Sequence, residues 1–255
     1  MKADKLISEA YNQEITIIFV GAGGTGSLLL HKLASIAVSL QEIRNITLKV
    51  IVMDEDMVSS SNIGRQLYTA YDVNRSKVAV LVERINRFYG LGWNACAFNY
   101  PMKADDFLVR NIIITCVDTP QARLKIEKYL QDYRKRKTLP SDHGHRFAYW
   151  LDCGNNFSTG NVVLTDLDKL PSISSYLTNV KPGRKRATCS LAMALGKQHL
   201  MVNTWAATIA GTMLCDMIFD HIVDVHAAFY NIRTFQIRTI QTKDYATKQD
   251  TVDAL

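Results

Sequence analysis

Residues 20–26 read VGAGGTG, and this loop limits the possible folds more than any other feature of the chain. Four glycines, at 21, 23, 24 and 26, stand between an unbroken apolar run, ITIIFV (15–20), and a long apolar segment, SLLLHKLASIAVSL (27–40). An apolar run without alternation suits a parallel strand covered on both faces, and the segment after the glycines has the length and pattern of a helix. Glycine at the junction permits a tight turn. It also lets backbone N–H groups approach an anion at the helix N-terminus, where the helix dipole favours negative charge. The loop therefore points to a nucleotide, although NAD and FAD enzymes and some methyltransferases share it.

The same alternation continues. ITLKVIVMD (46–54) is expected as a second strand, SKVAVLVERINRFYG (76–90) as a helix stopped by glycine, ACAFNY (95–100) and NIIITCVD (111–118) as further strands. PQARLKIEKYL (120–130) opens a helix with proline at a position that tolerates it. Beyond residue 147 the pattern changes. FAYWLDCGNN (147–156) and GNVVLTD (160–166) are strands separated by a few polar residues, as in an antiparallel hairpin, and AFYNIRTFQIRTI (228–240) holds another pair. A polar, basic segment (171–188) and a helical region from 190 to about 220 lie between them. The expected fold is α/β: a Rossmann-like doubly wound sheet, parallel in the N-terminal half and continued by antiparallel strands in the C-terminal half.

Asp54 ends the second strand, where an acidic residue can take ribose hydroxyls. A dehydrogenase would fit to this point, but VSSSNIGRQ (58–66) then places Asn62, Arg65 and Gln66 in a polar loop at the ligand-binding edge of the sheet. Lys77 opens the next helix, where the dipole disfavours a cation by about 0.3–1 kcal/mol unless an anion is close. Arg65 and Lys77 together suit a polyphosphate; taken separately, each could be an ordinary surface charge. Asp118 ends the fourth strand and can either cap the helix that follows or hold magnesium against phosphates.

Composition narrows the class. A chain of 255 residues that is 47% hydrophobic and 21% charged can bury a sizeable core. The net charge of +6 is concentrated in RKRK (134–137) and GRKR (183–186), either solvated loops or a site for an acidic partner. No nucleic-acid-binding motif accompanies them. The five cysteines form no C-x-x-C pair, which argues against structural zinc and a disulfide framework and for a reducing cytoplasm. No signal peptide is expected. The stretch LMVNTWAATIAGTMLCDMIF (200–219) has membrane-span length, but its polar residues favour a buried helix. His31 lies in an apolar helix and is expected to be packed, and Cys116 and Cys153 are expected on core strands.

Taken together, GAGGTG, DEDMVSSSNIGRQ, SK at a helix start and CVDTPQAR resemble, in order and spacing over about residues 15–130, the ThiF/MoeB/HesA superfamily, prokaryotic relatives of ubiquitin-activating enzymes. The segment CSLAMALGKQHLMVNTWAATIAG (189–211) is similar to a ThiF-like subgroup of bacterial mobile-element (PRTRC) operons. The resemblance implies one adenylation domain over 1–255, with a nucleotide-binding half (1–133), a partner-binding half (147–240) and a crossover loop at about 167–189. It implies a homodimer that uses ATP and Mg2+ to activate the C-terminal carboxylate of a ubiquitin-like or sulfur-carrier-like protein. Gly21, Gly23, Gly24 and Gly26 would seat the nucleotide, Asp54 the ribose, Asn62, Arg65 and Lys77 the phosphates, with Gln66 in the same pocket and Asp118 on magnesium. Asp56 is a further candidate on that loop.

Two departures stand out. The zinc-binding C-x-x-C pairs of many members are missing, and residues 1–14 lack the arginine that dimeric relatives extend into the partner's ATP site, leaving only Lys2 and Lys5. Cys189, after the basic stretch VKPGRKRAT, is either a nucleophile favoured by nearby cations or a buried small residue. An NAD(P)-dependent oxidoreductase and a non-catalytic activating-enzyme-like scaffold are the rival readings.

Overall fold

The structure is a computed structural model that describes residues 14–100, 112–135, 149–177, 196 and 198–245. Cys189, the GRKR run, Lys2 and Lys5 lie outside the described residues.

Eight strands form one sheet in the order β3-β2-β1-β4-β5-β6-β7-β8. The strands are β1 (Glu14–Val20), β2 (Thr47–Met53), β3 (Asn94–Cys96), β4 (Ile112–Thr115), β5 (Tyr149–Asn155), β6 (Thr159–Thr165), β7 (Val225–Asn231) and β8 (Gln236–Gln241). The first five pair in parallel, and β5 through β8 pair antiparallel as two hairpins joined side by side. The central strand β1 shows why a run without alternation is needed: Ile15, Ile17 and Phe19 join one buried cluster and Ile18 and Val20 the other. Both faces of the sheet are covered, so both sets of alternate residues must be apolar.

Helices α1 (Gly24–Arg44), α2 (Lys77–Tyr89) and α4 (Val202–Phe219) cover one face, and α3 (Pro120–Lys135) covers the other through Ile126 and Leu130. Helix α1 ends at Asn45 and α2 at Gly90, both in the left-handed conformation that closes a helix (φ 54° and 71°). Helix α4 packs on α1 with a row of small residues, Ala206, Ala207, Ala210 and Gly211, that brings the two axes close; a Cβ at Gly211 would already press on Lys32. Among the described residues no helix is long and apolar enough to cross a membrane. The 200–219 stretch is this buried helix.

Two expectations change. The strand expected over 95–100 shrinks to Asn94–Cys96, because β3 pairs with β2 only along that length. The helical region expected from 190 to 220 is interrupted at 198–201, where the His199 N–H donates to the Phe157 carbonyl at 2.8 Å and draws the chain toward the β5–β6 hairpin. His31 is half-buried, with its ring centroid 6.0 Å from that of Tyr89.

Candidate functional site

The glycine turn sits where the parallel strands end, and each glycine has its own reason. Gly21 has φ 98°, in the left-handed region that favours glycine, and a Cβ there would stand 2.7 Å from the Cys116 carbonyl oxygen. A Cβ at Gly24 would press on the Asn203 amide, and one at Gly26 would overlap the Gly21 carbonyl oxygen. Gly23 alone opens onto empty space. Gly26 is thus a packing residue that closes the turn on the helix. Gly21, Gly23 and Gly24 line a cleft of about 1550 Å³, whereas Gly26 does not.

Helix α1 begins at this turn with no side-chain cap and no acidic residue in its first turn. Its first N–H groups and the positive end of its dipole therefore lack the two usual internal partners. The opposite wall holds Asp54, whose carboxylate accepts the Ala22 N–H at 2.6 Å and the Asp56 N–H at 2.8 Å. Asp54 so braces the glycine turn against the end of β2. Burial raises its carboxyl above the ordinary carboxylate range, opposed by the Ala22 hydrogen bond, the Lys77 charge and the Asp56 hydrogen bond.

The loop after β2 arranges the remaining groups. Asn62 closes a short 3-10 turn, Ser60–Asn62: its side-chain oxygen accepts the Ser59 N–H at 2.8 Å and the Ser59 hydroxyl at 3.2 Å. Arg65 follows and donates from Nε to the Ser61 carbonyl at 3.4 Å and from Nη1 to Gln198 Oε1 at 3.3 Å. The buried Gln66 Oε1 makes no hydrogen bond to any described residue. Lys77, the first residue of α2, has a side chain only 8% exposed, and its Nζ lies 2.7 Å from Asp56 Oδ2. The anion that offsets the dipole penalty at Lys77 is thus Asp56, a carboxylate 63% exposed and able to swing into solvent. Asp118 is exposed, beyond the end of β4. Asp54, Asp56, Asn62, Arg65, Gln66, Lys77 and Asp118 all line the same cleft as the glycine turn.

A polar network, invisible in the sequence, joins this wall to the C-terminal strands. Asn155 on β5 donates to Thr25 Oγ1 at 2.9 Å and to Asn203 Oδ1 at 2.8 Å, Thr25 donates to Asn203 Oδ1 at 3.1 Å, and Gln198 donates to Asn155 Oδ1 at 2.7 Å. Through Gln198 it reaches Arg65. Cys153 is a core residue of β5 as expected, whereas Cys116 falls one residue past the end of β4 and is half-buried against the core; both also reach the cleft. Of the basic run at 134–137, Arg134 is tied to Asp166 and Asp168 beyond β6. Among the described residues no group of three or more His, Cys, Asp or Glu side chains is arranged to hold a metal.

The cleft's donors fit a nucleotide polyphosphate: an uncapped helix N-terminus, a glycine facing open space, and two cations from separate segments. A magnesium ion there would draw its ligands from phosphate and water with Asp118, which matches the ion's habit of using one or two carboxylates.

The sequence matches the model of the ThiF family over residues 10–251. No curated protein matches it. Among solved structures the chain is similar to E. coli MccB with ATP, at 14% identity and a TM-score of 0.62, covering 93% of this chain and 66% of that one. The complex of E. coli MccB with MccA-N7isoASN gives a TM-score of 0.64 at the same identity and coverage. PaaA gives 0.59 at 16% identity, covering 90% of this chain and 64% of that one. At such identities the likeness is one of fold, and the chain spans about 66% of the length of MccB. The family match, by contrast, takes in the glycine turn, the polar loop, Asp118 and both hairpins. The chain belongs to the ThiF family.

Proposed function

We propose that this protein is an ATP-dependent adenylyltransferase that activates the C-terminal carboxylate of a small ubiquitin-like or sulfur-carrier-like protein. The carrying observation is convergence: Arg65 from the loop after β2, Lys77 from the start of α2 and Asp118 from the end of β4 line one cleft with the glycine turn. Membership of the ThiF family supports adenylyl transfer. The structures of E. coli MccB with ATP and with MccA support a nucleotide and a small protein or peptide as the two substrates.

In the reaction, a carboxylate oxygen of the partner attacks the α-phosphorus of ATP. The bond from that phosphorus to the bridging oxygen breaks, leaving an acyl-adenylate and pyrophosphate. Negative charge grows on the departing pyrophosphate, so cations fixed beforehand stabilise the transition state more than the ground state. Arg65 is held for this by Ser61 and Gln198, and Lys77 is released when Asp56 turns outward. Bound magnesium, held by Asp118, would offset further phosphate charge. Asp54 takes the ribose while keeping the turn in place, and Asn62 and Gln66 contribute amides to the same wall. The protein works as a cytoplasmic homodimer.

ATP–pyrophosphate exchange with small proteins ending in glycine, taken from neighbouring genes, tests the proposal. Exchange that requires the partner's free carboxylate is expected. Mg-ATP binding without exchange for any such partner would favour the non-catalytic scaffold.

A further inference from the structure

The cleft contains a cation that the family resemblance does not assign. Arg123 projects from the first turns of α3, with a side chain only 7% exposed. Its Nε lies 3.4 Å from Asp152 Oδ2, and Asp152, on β5, is 1% exposed. The other Asp152 oxygen accepts the Thr115 hydroxyl at 2.6 Å, and that hydroxyl oxygen in turn accepts the Trp150 indole N–H at 2.8 Å. Asp152 is thereby anchored from one side, while its Oδ2 makes no hydrogen bond. The pair is close enough to offset charge but is not locked by a hydrogen bond.

The far end of the guanidinium is stranger. No hydrogen bond from its Nη1 or Nη2 to any described residue is present, although both belong to a side chain that is more than nine-tenths buried. Neither nitrogen is sealed from solvent, so water in the cleft serves these donors until a ligand's oxygens replace it. Those nitrogens lie across Gly154 on β5, where a Cβ would overlap Nη2, and Arg123 and Gly154 both line the cleft. Glycine at this position leaves the fork room to lie over the strand.

We propose that Arg123 is the receptor for the carboxylate of the acyl substrate, holding it by its Nη donors over Gly154 before attack; this rests on the adenylation reading above. Three features select the ligand class. A planar fork with free parallel donors matches a carboxylate. Asp152 is fixed in the interior and cannot leave as Asp56 can, so Arg123 keeps only part of its charge for a ligand and suits a monoanion better than a triphosphate. Its place over β5, where the parallel strands give way to the antiparallel ones, lies apart from Arg65 and Lys77 on their separate segments.

The test uses the whole protein labelled with 15N-arginine, with the Arg123 side-chain signals assigned by their loss in Arg123→Lys. Ala-Gly-Gly with a free C-terminal carboxylate is titrated beside the same peptide carrying a C-terminal amide. The acid should move the Arg123 signals saturably and the amide should not. Gly154→Ala, which displaces the fork without changing its chemistry, should weaken the acid by at least about tenfold. No movement at Arg123 with the acid, equal movement with the amide, or movement at Arg65 instead would overturn the proposal. Mg-ATP is titrated into a second portion of the sample. Failure of ATP to bind would remove the adenylation reading, while the carboxylate response, read without nucleotide, would still stand or fall by itself.

Discussion

The two ends of the cleft are built on opposite plans. At the glycine turn, the groups expected to meet the nucleotide already have internal partners: Asp54 accepts the Ala22 and Asp56 N–H groups, Lys77 pairs with Asp56, and Arg65 donates to Gln198. Over β5, Arg123 rests its Nε on one buried carboxylate while neither Nη donates to a described residue. The difference teaches that a charged wall can be kept ordered by exchangeable internal partners where one of them, Asp56, faces solvent. Arg123 lacks that option because Asp152 is fixed in the interior, and its Nη donors are left without an acceptor among the described residues at the cleft wall.

Substitutions can break or sharpen this contrast. The largest effect is expected for Asp118→Ala, which should lower ATP–pyrophosphate exchange by about 10²–10³-fold, the scale of losing a transition-state electrostatic contact. Because Asp118 is exposed, the melting temperature should move no more than for an ordinary surface substitution; retained exchange would remove its magnesium role. Next comes a pair within the turn. Gly26→Ala should cost about 3 kcal/mol in urea unfolding, at the upper end for overpacking against backbone, whereas Gly23→Ala should cost under about 0.5 kcal/mol because its Cβ meets nothing. Equal costs would contradict the role of Gly26 as the packing residue of the turn. Asn203→Ala should cost about 1–2 kcal/mol, since it strips acceptors from Thr25 and Asn155 in the network that joins the two ends.

The smallest effect concerns Asp54. Burial raises its carboxyl in the folded protein, so the protonated form is favoured there. Its contribution is full below the ordinary carboxylate range and lost as pH rises through the raised value. The wild type should therefore lose stability relative to Asp54→Asn between acid and neutral pH, by less than about 1 kcal/mol. A difference that is flat with pH would contradict the burial argument.

Most of the fold was legible because its signals are local. ITIIFV shows an unbroken apolar strand, the glycines mark the turn, and the hairpins β5–β6 and β7–β8 announce themselves by short polar gaps. The elements at the glycine end were nameable for the same reason, falling within one stretch of strand, loop and helix start. What the sequence hid depends on distance along the chain. Thr25 and Asn203 are 178 residues apart, and nothing local in NTWAATIAG says that Asn203 lies against Gly24. Arg123 sits in a charged helix segment, QARLKIEK, where an exposed arginine is the ordinary expectation; its burial against Asp152 and Gly154 depends on the β4–β5 pairing, which sequence spacing does not register. The break at 198–201 was hidden because apolar spacing cannot register that His199 pairs with the Phe157 carbonyl.

Nucleotide affinity, measured by calorimetry for ATP, AMP and NAD with magnesium present, tests the phosphate grip most directly. If Arg65 and Lys77 grip the β- and γ-phosphates, ATP should bind at least about tenfold tighter than AMP, by the 1.4 kcal/mol or more that such contacts supply. That advantage should disappear in the Arg65→Ala, Lys77→Ala double variant. Equal affinity for ATP and AMP, or tighter binding of NAD than of ATP, would contradict it.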